Sequence, residues 1–207
     1  MGLAALKGWR LIAPAALIIL FAALLGWTTG IADVPLPDLS KGSYSLSLLV
    51  PGLLYYITPL RSLLNDPHHS RLVEHIRKQM IGIAGVADRP KVYTWKALRP
   101  LFFSLIDIDE SLKKKSQLAY FNGAIWTTFA DATALALIYL LASLVLWWLG
   151  IDAARSAAIL SALIAFVGFL GSLATTRKQM VIATEQVEVM ELKYKPEIEA
   201  RLIKLDA

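Results

Sequence analysis

The chain has 207 residues, a formal net charge of +5, 57% hydrophobic residues and 18% charged residues. This composition lies outside the usual range for a soluble domain of that length and is typical of a small membrane protein with several spans. Because the sequence contains no cysteine, disulfides, thiol nucleophiles and cysteine-ligated zinc or iron–sulfur centres are excluded. The composition does not exclude metal sites built from histidine or carboxylate ligands.

Basic residues are concentrated in residues 1–10, 61–120 and 176–207, which hold 19 of the 21 Lys and Arg and alternate with four apolar stretches. Lys and Arg are retained on the cytoplasmic side of a membrane. We therefore expect an all-α integral membrane protein of the bacterial inner membrane, with four transmembrane helices, cytoplasmic N and C termini and a small helical cytosolic layer. The lipid bilayer is its first expected partner, and the positive charge needs no nucleic acid to explain it.

The first two predicted spans make up residues 1–60. The first covers about 11–27, with Pro14 in its first turn, and a retained helix is favoured over a cleaved signal peptide because its apolar run is long. The second covers about 44–60 and carries Pro51 in its interior, which predicts a kinked helix that faces protein. A re-entrant segment is the alternative, although it would leave the basic residues of 61–120 outside.

Residues 61–120 are predicted to be a cytosolic helical segment. Asn65-Asp66-Pro67 has the pattern of a helix start, and an apolar stripe follows at helical spacing: Leu72, Ile76, Met80 and Ile83. A second helix near 95–105 either lies in the headgroup region or packs on that stripe. Asp107 and Glu110 have the spacing of a capping pair at the start of the next helix.

Residues 121–175 are predicted to form a transmembrane hairpin, with helices at about 123–149 and 154–174, followed by a cytosolic helical tail over 176–207. Small residues recur at helical spacing along the fourth span, which favours close helix packing: Ala154, Ala157, Ala158, Ser161, Ala162, Ala165, Gly168 and Ser172. The packing partner is either the third span or another subunit. The tail carries an apolar stripe that restarts after Pro196 and would pack on the central segment or on a partner.

Asp131 is the one ionisable residue that the pattern places within a span, where a carboxylate is costly and usually functional. If the third span begins near Gly123, Asp131 lies about 10 Å deep beside Thr127 and Thr128, which is a polar face suited to a pore. If the span begins near residue 131, the carboxylate is wetted at the cytosolic edge.

Other polar residues carry weaker signals. His68, His69 and His75 are spaced unfavourably for one metal ion, so we expect no metal site and no cofactor. Lys113, Lys114 and Lys115 mark the cytosolic side, and together with Trp95 and Phe102 they are candidate contacts for lipid or a protein partner. The sequence holds no metalloprotease pair, phosphate-binding glycine loop or nucleophile elbow, so we expect no enzyme.

The favoured function is a non-enzymatic, homo-oligomeric channel or membrane-permeabilising effector that is controlled through its cytosolic part. A membrane anchor or assembly subunit that recruits a soluble cytosolic protein is the first alternative. A small transporter is the second, although four spans leave little room for a binding site at the membrane midplane.

Overall fold

The computed structural model describes residues 3–30 and 45–206, and the regular structure within these residues is helical, with no strand. The helices, in chain order, are α1 (Leu3–Thr29), α2 (Ser45–Ile57), α3 (Pro59–Ile83), α4 (Trp95–Ile108), α5 (Glu110–Trp148) and α6 (Ala154–Asp206). The predicted all-helical fold is confirmed.

Three helices in the described part of the chain are long and apolar enough to cross a membrane: α1 through Ile12–Thr29, α5 with 39 residues and α6 with 53 residues. A span needs about 20 apolar residues. These helices contain the first, third and fourth predicted spans and mark the chain as an integral membrane protein. The sequence pattern predicts Pro14 in the first turn of its helix. Because α1 begins at Leu3, Pro14 lies in the helix interior instead.

The second predicted span is interrupted. Helix α2 has 13 residues, which reach about 20 Å, against a hydrocarbon core of about 30 Å. Its predicted start at Tyr44 lies outside the described residues. The chain bends at Thr58, and α3 begins at Pro59, where the missing N–H of proline is harmless. The crossing of this segment stays a prediction, but the predicted helix start at Asn65-Asp66-Pro67 is wrong, because Pro67 lies inside α3.

The chain divides into two compact units. The first, which we call the span unit, comprises Met1–Asn65 and Ala124–Ala174; the second, the polar unit, comprises Asp66–Gly123 and Thr175–Ala207. Helices α3, α5 and α6 each contribute residues to both.

The span unit is packed around Phe21, Tyr55, Leu135, Ala136 and Ala165, which come from α1, α2, α5 and α6. The ring of Phe21 stacks on that of Tyr139 at 5.1 Å between centroids. The Tyr139 hydroxyl donates to the carbonyl oxygen of Ile18 at 3.2 Å, so α5 is joined to α1 by a polar contact as well as by packing.

Most of the small residues of α6 are buried, and α5 is one of the helices that pack against them. Ala154, Ala157, Ala158, Ser161, Ala165, Gly168 and Ser172 are buried, whereas Ala162 is exposed. A Cβ added to Gly168 would lie 2.6 Å from Thr133 Oγ1 and 3.2 Å from the Phe129 carbonyl oxygen of α5. The close approach at Gly168 therefore joins the third and fourth predicted spans of one chain.

The polar unit has a core of its own, to which α3, α4, α5 and α6 contribute. The predicted stripe of α3 is buried at Ile76, Met80 and Ile83, with Leu72 at its edge. Helix α4 packs against this stripe through Leu98, Phe102 and Leu105. Of the two alternatives for the 95–105 helix, the structure supports packing on the stripe.

The tail of α6 also packs into this core, as predicted for its apolar stripe. Ala183, Val187 and Met190 are buried before an irregular backbone position at Tyr194, and Ile198 and Leu202 are buried after it. Pro196 accounts for the irregularity, since it cannot donate the helical hydrogen bond. The tail ends with Asp206, which accepts from the Tyr93 hydroxyl at 2.6 Å.

Buried Arg77 ties α3 to the connection that precedes α4. Its guanidinium donates to both oxygens of Glu74 and both oxygens of Asp88, each at 2.7 Å, and to the carbonyl oxygen of Tyr93 at 3.1 Å. The bonds from Glu74 and Asp88 raise the pKa of Arg77 above its already high value, so the charge is permanent.

Replacing Gly168 with alanine is expected to destabilise the span unit by about 1 to 3 kcal/mol, because the new methyl group overlaps Thr133 and the backbone of α5. Gly82→Ala is the matched control, since an added Cβ there meets nothing within 4 Å. That change should be neutral or stabilise α3 by up to about 1 kcal/mol. Thermal unfolding in detergent measures both, and equal midpoints for the two variants would contradict the close packing of α5 on α6.

Leu202→Ala is expected to lower the free energy of unfolding of the polar unit by about 2 to 5 kcal/mol, because Leu202 is 1% exposed in its core. The neighbouring Ile203 is 69% exposed, and Ile203→Ala should stay within about 0.5 kcal/mol. Urea unfolding in detergent, followed by tryptophan fluorescence, compares them. Similar losses for both variants would show that the tail does not pack in this register.

Candidate functional site

The side chain of Asp131 is buried within the span unit. It is 1% exposed and lies on a part of α5 with no other ionisable residue. The hydroxyl of Tyr55 on α2 donates to Oδ1 at 3.2 Å, and Arg61 Nη2 on α3 lies 3.4 Å from Oδ2. Burying an unpaired carboxylate would cost many kcal/mol, so this position depends on its partners.

The junction of α2 and α3 brings both partners to Asp131. Thr58 closes the last turn of α2, because its N–H and its hydroxyl both donate to the carbonyl oxygen of Tyr55, at 3.1 and 2.7 Å. Pro59 then starts α3, and Arg61 follows in its first turn. The guanidinium of Arg61 lies 4.9 Å from the ring centroid of Tyr56, so an aromatic face and a carboxylate both attract it.

The polar groups of this cluster are incompletely paired. Asn65 Nδ2 donates to the carbonyl oxygen of Arg61 at 2.9 Å. Within the described part of the chain, Arg61 Nη1 and Asn65 Oδ1 are buried without a hydrogen-bond partner. The ion pair is also longer than the roughly 2.8 Å of a strong charge-assisted bond. Such a cluster contributes less stability than its charges could, which is typical of a functional position.

The predicted polar neighbours of Asp131 bond mainly to their own helix. The hydroxyls of Thr127 and Thr128 both donate to the carbonyl oxygen of Ala124, at 3.0 and 2.9 Å. Thr128 Oγ1 also accepts from Trp9 Nε1 of α1 at 3.0 Å. Their role on a pore face stays a prediction.

The residues predicted to meet lipid or a partner lie in the polar unit. Phe102 is 4% exposed in its core and Trp95 packs at the edge of that core, so little of Phe102 is available to a partner. Lys113 pairs with Glu110, Lys115 pairs with Glu185, and Lys114 is exposed. The partner role of these residues stays a prediction.

The histidines do not converge. His75 Nε2 lies 2.9 Å from Thr184 Oγ1, and His69 is exposed. Among the described residues, no group of three or more His, Asp or Glu side chains is placed to hold a metal ion.

Asp109, rather than the predicted pair of Asp107 and Glu110, caps α5. Its Oδ1 accepts from the Ser111 N–H at 2.8 Å, from the Leu112 N–H at 3.1 Å and from the Ser111 hydroxyl. Its Oδ2 accepts from Lys193 Nζ at 2.7 Å and from the Tyr194 hydroxyl at 3.1 Å. The predicted capping pair is wrong because α4 continues through Ile108 and leaves Asp109 as the junction between two helices.

These bonds, with that from Lys193 the strongest, hold the pKa of Asp109 well below its usual value. Asp109 therefore joins the end of α4, the start of α5 and the irregular position in α6. The same carboxylate caps helix α5 and forms an ion pair with Lys193.

Sequence reasoning identified Asp131 but missed Tyr55, Arg61 and Asn65. Arg61 directly follows the predicted second span, and its charge was interpreted as a topology marker. The available signal was that a lone intramembrane carboxylate requires a cation, and that the basic residues at the ends of neighbouring spans are the nearest candidates.

Comparison of the chain with protein-family models, with curated proteins and with solved structures gives no match.

Asp109→Asn is expected to destabilise the polar unit at neutral pH, and the deficit relative to wild type should shrink as the pH falls below about 4. The sign follows from the lowered pKa: the ionised carboxylate stabilises the fold above the unfolded pKa, and that contribution is lost from wild type on acidification. Asp107→Asn, at an exposed site two residues away, is the control. Melting temperatures at a series of pH values test this, and a deficit that is independent of pH would contradict it.

Proposed function

We propose that this protein is a gated membrane channel or membrane-permeabilising effector whose closed state is held by the pair Arg61–Asp131. The observation that carries the proposal is the burial of an incompletely paired carboxylate and arginine between helices of the span unit. Ionisable residues among membrane helices are expensive and usually mark ion paths or moving elements. A membrane anchor needs neither an ion path nor a moving element.

The proposed topology has four crossings with both termini in the cytoplasm. Helix α2 alone is too short for the second crossing, but the stretch from Ser45 to Asn65 has 21 residues and reaches about 31 Å. Asn65 is also the last residue of the first segment of the span unit. The second crossing would therefore consist of α2 and the first turns of α3, joined at the bend of Thr58.

Tryptophan positions support a shallow site on the cytoplasmic side. Trp9 to Trp27 along α1 is about 27 Å, and Thr128 to Trp147 along α5 is about 29 Å, both close to the hydrocarbon thickness. Since Trp9 bonds to Thr128, these residues share one level. Asp131 would then lie about 4.5 Å inside the cytoplasmic aromatic belt.

The proposed gate is the joint between α2 and α3. Arg61 bonds across to α5 at the start of α3, while Ile76 and Met80 of the same helix belong to the core of the polar unit. A change in the polar unit that shifts α3 along its axis would pull Arg61 away from Asp131. The uncompensated charges would then admit water, and oligomerisation through the span unit would complete the pore.

Asp131→Asn is expected to open this protein at lower expression than wild type. Removing one partner of a well-bonded buried pair costs about 3 to 5 kcal/mol, and even a cost of about 1.4 kcal/mol at this longer pair would change the equilibrium tenfold. A voltage-sensitive dye in bacteria with controlled expression reports the depolarisation. Asp152→Asn, which removes an exposed carboxylate beyond α5, should behave as wild type.

Exchange of the two charges provides the specific test. Arg61→Asp combined with Asp131→Arg retains the pair in reverse and should restore the wild-type response, whereas each single change should not. If Asp131→Asn and the exchange are both indistinguishable from wild type, with membrane insertion verified, the gate does not depend on this pair and the proposal fails.

One observation favours the alternative of an anchor or assembly subunit. Leu192, Ile203 and Ile108 of the polar unit are 85%, 69% and 68% exposed, and large exposed apolar side chains can mark a protein contact. An unchanged membrane potential together with specific retention of a soluble protein that is lost in Leu192→Ser would favour that function.

A further inference from the structure

The part of the α5–α6 pair that belongs to the polar unit carries exposed apolar and basic side chains together. On α5, Leu118 and Phe121 are 59% and 48% exposed, and on α6 Val181 is 56% exposed. Arg177 and Lys178 are exposed as well and follow directly after the apolar stretch of α6. We call Leu118, Phe121, Arg177, Lys178 and Val181 the collar.

Two contacts fix the register of the collar. Asn122 Nδ2 donates to the carbonyl oxygen of Thr175 at 2.9 Å and to Gln179 Oε1 at 2.7 Å. Seven residues away on α5, Lys115 pairs with Glu185. The helices are thus antiparallel here, and Phe121 lies at the level of Arg177 and Lys178, with Leu118 and Val181 one turn further along.

This combination fits a membrane surface. Apolar side chains of that exposure are unfavourable in water, and aromatic or aliphatic groups lie well at the boundary between headgroups and acyl chains. Arg and Lys at the same level can extend their charged ends to the phosphate layer. In the described structure Lys115 has an acidic partner, whereas none of the described ion pairs includes Arg177 or Lys178.

We infer that the collar is a binding surface for anionic phospholipid headgroups of the leaflet from which α5 and α6 emerge. The occupant is a lipid because the collar continues directly from two membrane-crossing helices and because its free charge is complementary to phosphate. The inference requires that α5 and α6 span the bilayer and does not depend on conduction. Its failure would therefore leave the proposed gate untouched.

The test compares lipid retention by two double variants. Arg177→Gln with Lys178→Gln removes the basic part of the collar, and Lys91→Gln with Lys96→Gln removes two exposed charges elsewhere in the polar unit. Wild type and both variants are placed in nanodiscs of phosphatidylcholine with a minor fraction of phosphatidylglycerol. Native mass spectrometry after transfer to mild detergent counts the phosphatidylglycerol that stays bound.

The collar variant should bind phosphatidylglycerol roughly thirtyfold more weakly than wild type, at about fivefold for each basic residue near a charged surface. The control variant should bind as wild type does, and added salt should weaken wild-type binding. Equal binding by all three proteins, or an equal loss in both variants, would overturn the inference. So would efficient cross-linking of two copies through Phe121→Cys in the same nanodiscs, since a second chain would then cover the collar.

Discussion

The buried carboxyl group of Asp131 constrains the arrangement of the span unit. A carboxylate that is 1% exposed in an apolar helix bundle must have a cation and a donor nearby, and Arg61 and Tyr55 supply them. The two partners come from different helices, Tyr55 from α2 and Arg61 from α3, and the junction between these helices brings both to the same carboxylate. The bend at Thr58 and the new helix start at Pro59 are the local means. Tyr55 itself packs in the apolar core with Phe21, Leu135 and Ala165, so this core holds one of the two partners of Asp131 in place.

Much of the fold follows from periodicity, and the exceptions have physical reasons. Apolar length identified three membrane-compatible helices, and the stripe of Ile76 and Met80 identified the core of the polar unit. The errors arose at proline and at caps. Pro67 has the local signature of a helix start, yet α3 has already begun at Pro59 and continues through Pro67. Asp109 caps α5 in place of Asp107 because α4 continues through Ile108, and Asp109 also accepts from Lys193. The spacing of neighbouring residues in the sequence does not predict contacts with distant residues such as Lys193.

Only part of the candidate site could be predicted from the sequence, for the same reason. A single intramembrane carboxylate can be found by scanning the sequence, so Asp131 was predictable. Its partner Arg61 lies 70 positions earlier, at a place where basic residues are expected on topological grounds alone. The sequence therefore offers two explanations for Arg61, and only the spatial arrangement shows that its guanidinium points to the carboxylate.

The two buried carboxylates, Asp109 and Asp131, differ in how completely their oxygens are paired. Asp109 accepts bonds from two backbone N–H groups, a hydroxyl, an ammonium group and a phenol, so both of its oxygens are well satisfied. Asp131 has the phenol of Tyr55 and the guanidinium of Arg61 at longer distances, with the Asn65 side chain as a further partner. The cluster retains a buried donor and a buried acceptor without partners in the described structure. A fully paired carboxylate favours one geometry of the helix junction strongly. An incompletely paired carboxylate loses less free energy when it exchanges its present partners for others. Asp131 is therefore held less firmly by its partners than Asp109, which fixes the junction of α4, α5 and the tail of α6 in the polar unit.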